Sequence, residues 1–330
     1  MSEHGVLTLF LFNIVVYNIP LLFGTVGEII TEKSGSLNLG VEGTMAVGAI
    51  FGYLAGSYSD SIWIGLLIAF ITAGLCGLLF AFLTVTLQAN QNVTGLTITT
   101  FGTGLYFFIG NGLGANWPSM QAAAGLSADF AAKPIPILSS IPLIGKAFFS
   151  HNIMVYLGII LAVLIWWYLT YTKPGLRLRA IGENPGSADS VGVNIVLYKY
   201  IHLIIGSGVM GLGGFCMALN MGGSFEGSNC WINGYGWIAI ALVIFANWNT
   251  VYAILGTLIF GFFNTLQIYS GSLAYAFPRP LGWLASIPAQ LYQALPFIIT
   301  AIVLIVSSVS KRGQGGQPAA LGLNYFREER

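Results

Sequence analysis

Charge is what this chain lacks. Only 7% of its 330 residues are Asp, Glu, Lys or Arg, against about 25% in an ordinary soluble domain. A soluble fold of this size could not cover its surface with so few charges. With 56% hydrophobic residues and a mean hydropathy of +0.80, the chain reads as a polytopic membrane protein. The net charge of +1 speaks against a nucleic-acid partner. Cysteine is scarce too, and Cys76, Cys216 and Cys230 have no metal-ligating spacing. The first two lie in apolar runs and read as packing residues, and Cys230 lies in a polar loop. No GxxxxGK[ST] pattern is present, so the chain cannot be its own ATPase. Any energy it uses comes from a partner or from an ion gradient. No cleavable signal peptide is evident, because the first apolar run is long and lacks a basic n-region.

Glycine, by contrast, is abundant at 43 residues, and small residues let transmembrane helices approach closely. A helix needs about 20 apolar residues to cross the hydrocarbon core. The sequence predicts an all-α fold of about nine spans: 7–30, 39–57, 62–87, 93–113, 152–171, 199–221, 234–248, 251–271 and 287–309. Pro134, Pro136 and Pro142 rule out a continuous helix in the polar stretch 114–151. Trp63, Trp166, Trp167 and Tyr168 sit near span ends, as an interfacial belt requires.

Basic residues set the expected orientation. Lys173, Arg177, Arg179 and Lys199 cluster around one polar insert, and Lys311 and Arg312 follow the last span. Both regions are expected in the cytoplasm. Four spans separate them, so the two assignments agree, and the N-terminus and the 114–151 loop fall outside. Lys133 and Lys146 on that loop run against the rule. The chain divides into a transmembrane unit, 1–312, with a cytoplasmic loop at 173–198 and an extracytoplasmic loop at 114–151, and a cytoplasmic tail, 313–330. Two polar, glycine-rich segments lead into helices: SGSLNLGVEG, Ser34 to Gly43, and GGSFEGSNCWING, Gly222 to Gly234. On this topology they start from opposite faces, as an inverted-topology repeat would. The likeness is short, and a repeat and a coincidence both stay open.

The insert RAIGENPGSADSVGVN, Arg179 to Asn194, stands out between two apolar runs. Pro174 ends the fifth span. Asn184 followed by Pro185 is a helix start, an N-cap and then a residue suited to the first helical position. Gly192 is a natural stop. One short interfacial helix over about 185–191 is therefore predicted. It reads either as a docking element for a cytoplasmic partner or as a basic loop that anchors topology.

The segment GLRLRAIGENPGSADSVGVN resembles the cytoplasmic coupling loop of ABC-transporter permeases of the branched-chain amino acid, ribose and nucleoside superfamily. GEIITEKSGSLNLGVEGTMAVGA, Gly27 to Ala49, and GWIAIALVIFANWNTVYAILGTLIFG, Gly236 to Gly261, resemble that family's two signatures. The tail PAALGLNYFREER, Pro318 to Arg330, resembles the nucleoside (simple sugar) importer subgroup. The resemblance implies a type II importer-like permease in a bacterial cell membrane. It implies a second homologous permease subunit, a cytoplasmic ABC ATPase that holds ATP and Mg, and an extracytoplasmic substrate-binding lipoprotein. No cofactor is expected on this chain. Arg179, Gly182, Glu183, Asn184, Pro185, Ala188 and Gly192 become the candidates for coupling to the ATPase. Arg179 and Glu183 would pair with its polar groups, Gly182 would allow a tight turn into the helix, and Ala188 would present a small, flat contact.

A permease also needs a polar path through its apolar bundle, and intramembrane polar groups are the candidates. Glu28, Glu32, Lys33 and Glu42 surround the first glycine-rich segment. Asn38, Glu42, Asn92, Thr94, Thr97 and Asn111 are the expected pathway residues. For Glu42 a structural reading is favoured, in which it bonds backbone groups of a broken helix. For any single Thr, interhelical hydrogen bonding is the plainer reading. An ion-coupled secondary transporter is the competing function. It would use Glu28 or Glu42 and leave the polar insert without a purpose.

Overall fold

A computed structural model of the chain describes residues 3–326, apart from 137, 142, 143, 289, 293, 296, 297, 300, 303, 304 and 306–315. The expected first span, 7–30, is two helices end to end, α1 (Glu3–Val16) and α2 (Ile19–Lys33). Pro20 is the cause. It has no N–H to donate, and its ring crowds the carbonyl four residues back, which is that of Val16. Asn18 fills the joint, and its amide donates to the Ile14 carbonyl at 3.0 Å.

The remaining helices are α3 (Val41–Ser59), α4 (Ile62–Ala81), α5 (Gln91–Leu113), α6 (Ala124–Phe130), α7 (Ile144–Phe148), α8 (Ile153–Tyr171), α9 (Lys173–Glu183), α10 (Pro185–Ser190), α11 (Ile195–Asn220), α12 (Tyr235–Phe245), α13 (Thr250–Ala276) and α14 (Pro278–Leu281). The α4 helix runs on through a π turn, Phe82–Thr86. Among the described residues there is no β-strand, only an isolated bridge between Glu226 and Asn229. The core is the packing of α2, α3 and α4 around α11. Glycine permits it: a Cβ on Gly48 of α3 would stand 2.3 Å from the Cα of Gly211 on α11. The two backbones therefore touch, as close-packed transmembrane helices do.

Six described segments are long and apolar enough to cross a membrane: Gly5–Lys33, Ile62–Thr86, Gln91–Asn116, Ile153–Tyr171, Ile195–Asn220 and Thr250–Ala276. The count of nine is thus not reproduced. The second expected span, α3, has 19 residues but is more polar, with Glu42, Thr44, Ser57 and Ser59, and most of it is buried. The seventh expected span, 234–248, shrinks to the 11 residues of α12, too short to cross a core of about 30 Å. Two consecutive left-handed residues, Asn247 at φ 50° and Trp248 at φ 54°, follow its end. Of the ninth, 287–309, nearly half the residues fall outside the described ones.

Irregular chain makes up the difference at α12. Gly223 packs against the Tyr53 ring near the far end of α3. Trp248 bonds to Glu32 at the last turn of α2. The glycine-rich segment and α12 together therefore cover the height that a single helix was expected to cover. The first part of the 114–151 region folds over this segment. The Trp117 indole donates to the Gly223 carbonyl at 2.8 Å, and Tyr53 and Trp117 stack with ring centres 5.5 Å apart. Asp60 caps α6 from a distance, accepting from Gly125 N at 2.7 Å and Leu126 N at 3.0 Å.

Candidate functional site

The insert folds as a capped elbow. Thr172 caps α9, its hydroxyl accepting from Gly175 N at 3.1 Å, with Pro174 in the first turn. Pro174 thus starts α9 as well as stopping α8. Asn184 then closes α9 and opens α10 in one residue: its backbone is extended (φ −151°, ψ 92°), and its side chain accepts from Ser187 N at 3.0 Å. Pro185 follows in the first turn, as expected. Gly192, at φ +81°, reverses the chain after α10, and Asn194 caps α11 by accepting from Leu197 N at 3.0 Å. The predicted helix over 185–191 is therefore α10 within one residue.

Its candidate residues do not share one surface. Glu183, Asn184 and Gly192 are exposed, and Pro185 is half-buried. Ala188 is not a presented contact: it is 3% exposed and packs inward with Ile181 and Ile195. Gly182 sits in the last turn of α9, not at the turn into α10. A Cβ there would stand 2.5 Å from the Lys33 carbonyl, so glycine lets α9 press on the end of α2. Arg179 is half-buried and lines a cavity of about 220 Å³ with Lys33, Trp248 and Asn249, away from the outer face of α10. Sequence reasoning missed Ser187, Ser190 and Val191, which complete that outer face. Val191 is 77% exposed, an unpaired apolar group beside the elbow. Open grooves of about 530 Å³ and about 500 Å³ flank it, and both are lined by Gly192, Val193 and Asn194.

The described part of the tail is bound to the bundle. Residues 316–326 form a strap across the base of the bundle. The Gly316 carbonyl accepts from Lys33 Nζ at 2.7 Å. Ala319 N donates to the Glu183 carboxylate at 3.3 Å, and Ala320 N to the Gly182 carbonyl at 2.9 Å. Gly322 N donates to the Gly35 carbonyl at 3.2 Å. The Asn324 amide donates to the Gln88 carbonyl at 2.7 Å and accepts from Gln91 Nε2 at 3.0 Å. The Tyr325 hydroxyl donates to Asp189 Oδ2, on α10, at 3.0 Å.

Inside the bundle, the segment between α2 and α3 is irregular chain among apolar helices, so its backbone groups need partners. Gln91 Oε1 accepts from Leu37 N at 2.7 Å, and Glu28 Oε1 from Asn38 N at 3.3 Å. Asn38 Oδ1 accepts from Gly40 N at 2.8 Å, and the Thr99 hydroxyl donates to the Leu39 carbonyl at 2.9 Å. Glu42 then reaches the second glycine-rich segment. Its two oxygens accept from Gly234 N and Gly236 N, both at 2.7 Å, at the start of α12. Gly234 has no side chain with which to cap α12, so the carboxylate of Glu42 caps it instead. The favoured structural reading of Glu42 holds, and the two segments that looked alike in sequence meet at this residue.

Asn38 and Glu42 are both engaged with backbone N–H groups. Thr94 is buried, and its hydroxyl returns to the Asn90 carbonyl at 2.8 Å. Asn92, Thr97 and Asn111 are exposed on α5. Thr97 and Asn111 share a stripe with Val93, Thr100, Gly104 and Phe108, all exposed and spaced by three or four residues. Asn92 lies off that stripe. Phe108 is 77% exposed.

The match extends over residues 10–306 to the family described as branched-chain amino acid transport system / permease component. The chain belongs to this permease family. Among its relatives is the nucleoside ABC transporter permease protein NupC of Lactococcus lactis subsp. cremoris, 31% identical and covering 100% of both chains. The guanosine ABC transporter permease protein NupQ of Bacillus subtilis is 32% identical, over 96% of each chain. The putative glucose ABC transporter permease protein TsgC13 of Haloferax volcanii is 32% identical, over 93% of this chain and 94% of its own. No solved structure matches. Family membership fits the geometry of a multi-pass helical protein with an elbow at one end of its bundle.

Proposed function

We propose that this chain is one permease subunit of an ATP-driven importer of nucleosides. It pairs with a second, homologous permease. A cytoplasmic ABC ATPase that holds ATP and Mg supplies the energy, and an extracytoplasmic lipoprotein delivers the substrate. The N-terminus lies outside and the C-terminal strap in the cytoplasm. The glycine-rich segment with α12 counts as one crossing, so the basic insert and the basic residues after the last span stay on one side. The observation that carries this reading is the capped α10 elbow, six residues long, held out from the bundle with Glu183, Asn184, Ser187 and Val191 exposed. Nucleosides are favoured because NupC and NupQ carry nucleoside and guanosine in their names. TsgC13 supports a second reading, a glucose-like sugar.

In this reading Glu183, Asn184 and Pro185 meet the ATPase, while Gly182, Ala188 and Gly192 set the position of α10. Arg179 acts from its cavity beside Lys33, not across the docking face. The exposed α5 stripe with Thr97 and Asn111 faces the second permease and the substrate, with Asn92 off the stripe in the first turn of α5. A hydroxyl-and-amide side suits a neutral polar solute, and polar intramembrane groups face a partner or a cavity more readily than lipid.

Uptake by the co-expressed importer in proteoliposomes, with ATP inside and labelled uridine, adenosine, glucose and leucine outside, tests the reading. ATP-dependent accumulation of a nucleoside is expected. The double variant Glu183→Lys, Pro185→Gly should abolish it while leaving the chain folded in the membrane. Glucose accumulation instead replaces the substrate. Uptake by this chain alone, without ATP and lost on adding an uncoupler, rejects the ABC mechanism.

A further inference from the structure

A docking helix is useful only if its movement reaches the path. The α10 helix has six residues and is seated on its own bundle by one buried side chain, Ala188, against Ile181 and Ile195. Its covalent neighbours, α9 and α11, are one route inward. The strap, itself bonded to α9 at Gly182 and Glu183, offers another through its Asn324–Tyr325 end. It starts at Asp189, on α10, which accepts the Tyr325 hydroxyl at 3.0 Å. The adjacent Asn324 holds the turn before α5 through the Gln88 carbonyl and binds Gln91 Nε2 at 3.0 Å. Gln91 is 4% exposed, and its amide carries the connection on: while Nε2 donates to Asn324, Oε1 accepts from Leu37 N at 2.7 Å. Leu37 precedes Asn38, whose N–H is held by Glu28, and four residues later comes Glu42, the cap of α12. One hydrogen-bonded line thus joins α10 to the first turn of α5 and to the irregular segment that sets α3 against α12.

We propose that the strap Pro318–Phe326 transmits movement of α10 to α5 and to the α2–α3 segment, with Tyr325, Asn324 and Gln91 as its positioning residues. This rests on the reading that α10 docks an ATPase. The strap is an element with two anchored ends and no helix of its own, and at its Asn324–Tyr325 end these hydrogen bonds tie it to α10 and to the start of α5. Removing one leaves both ends folded and slackens the link between them.

The test uses the complete importer, in proteoliposomes with binding protein and a transported nucleoside, and reads uptake and ATP hydrolysis together. Tyr325→Phe deletes one hydroxyl and should fold normally. Uptake per ATP hydrolysed is expected to fall about fivefold, the weight of one net hydrogen bond. Asn324→Ala removes the connection to both Gln88 and Gln91 and is expected to lower the ratio further. In both variants the ATPase should still co-purify and hydrolyse ATP at about the wild-type rate. A merely structural role would lower uptake and hydrolysis in step, and that result overturns the proposal. So does an unchanged ratio, which would leave transmission to α9 and α11, and so does loss of the ATPase on purification. Wild-type protein that neither binds an ATPase nor uses ATP would defeat the docking reading itself, and is told apart because it needs no variant.

Discussion

Glu42 is the residue on which two irregular segments depend. It is 7% exposed, and both of its oxygens are occupied by backbone N–H groups, those of Gly234 and Gly236. A buried carboxylate is costly unless hydrogen-bonded. Here the cost is offset at a helix N-terminus, where the N–H groups lack partners and the dipole favours negative charge. Alanine at this position leaves one buried and one part-buried donor without this acceptor, a loss of roughly 3 kcal/mol. Glu42→Ala should therefore lower the melting temperature of the purified protein in detergent, and Glu42→Gln, which keeps one acceptor, should lower it by about half as much. Equal melting of all three proteins would remove Glu42 from this role. The same accounting explains Glu28, Asn38 and Gln91: their polar atoms serve the backbone of the α2–α3 segment, which has no helix or sheet to satisfy it.

Local causes were legible at α10 but not at α9, because Pro174, which starts α9 after the Thr172 cap, was read only as the end of the fifth span. The α10 helix follows from Asn184, Pro185 and Gly192, each acting on its own neighbours. Elements with distant causes were not legible. The break at Val16 has a visible signal, Pro20, which a 24-residue apolar window from 7 to 30 conceals. The α12 helix is shorter than its apolar run because its ends are fixed by Glu42, 192 residues away from Gly234, and by Glu32, 216 away from Trp248. No periodicity reports such partners. The region 133–151 is another case. Its ends are joined by backbone hydrogen bonds, Lys133 N to the His151 carbonyl at 2.9 Å and Ile135 N to the Phe149 carbonyl at 2.9 Å. His151 then stacks on Phe12 of α1 with ring centres 4.6 Å apart. It is 1% exposed. Burial pushes its pKa below the usual 6.5, with the Ala147 backbone opposing. A base with a lowered pKa binds more protons unfolded than folded, so its contribution to stability is whole above about pH 6.5 and declines as pH falls through that value. The difference in melting temperature between pH 7.5 and pH 5.5 should therefore be smaller in His151→Phe than in wild type. An equal difference in the two proteins would show that His151 does not titrate on unfolding.

At the scale of the molecule, composition alone set the class, because 7% charge leaves no other solvent for the surface than lipid. The bundle is then held by backbone contact at glycines such as Gly48 and Gly211. Polar chemistry gathers at its base, in the two irregular segments and on one stripe of α5, with smaller clusters such as Asn18, Tyr235 and Asn264 between helices. The tail, which carries no apolar run, belongs to the base. Its partners lie far off in sequence, Lys33 being 283 residues from Gly316 and Asp189 136 from Tyr325. Composition therefore presents it as loose chain. This distinction has a measurable consequence. Membrane insertion depends on apolar spans, and the strap adds none. The proposed coupling runs through its hydrogen bonds. Removal of residues 313–330 should leave the chain in the membrane fraction, with an introduced cysteine at Asn229→Cys labelled from the same side as in the full-length protein. ATP-dependent uptake should be lost in the same preparation. Failure to insert would give the strap a part in assembling the bundle itself, and retained uptake would reduce it to the loose tail that its composition suggests.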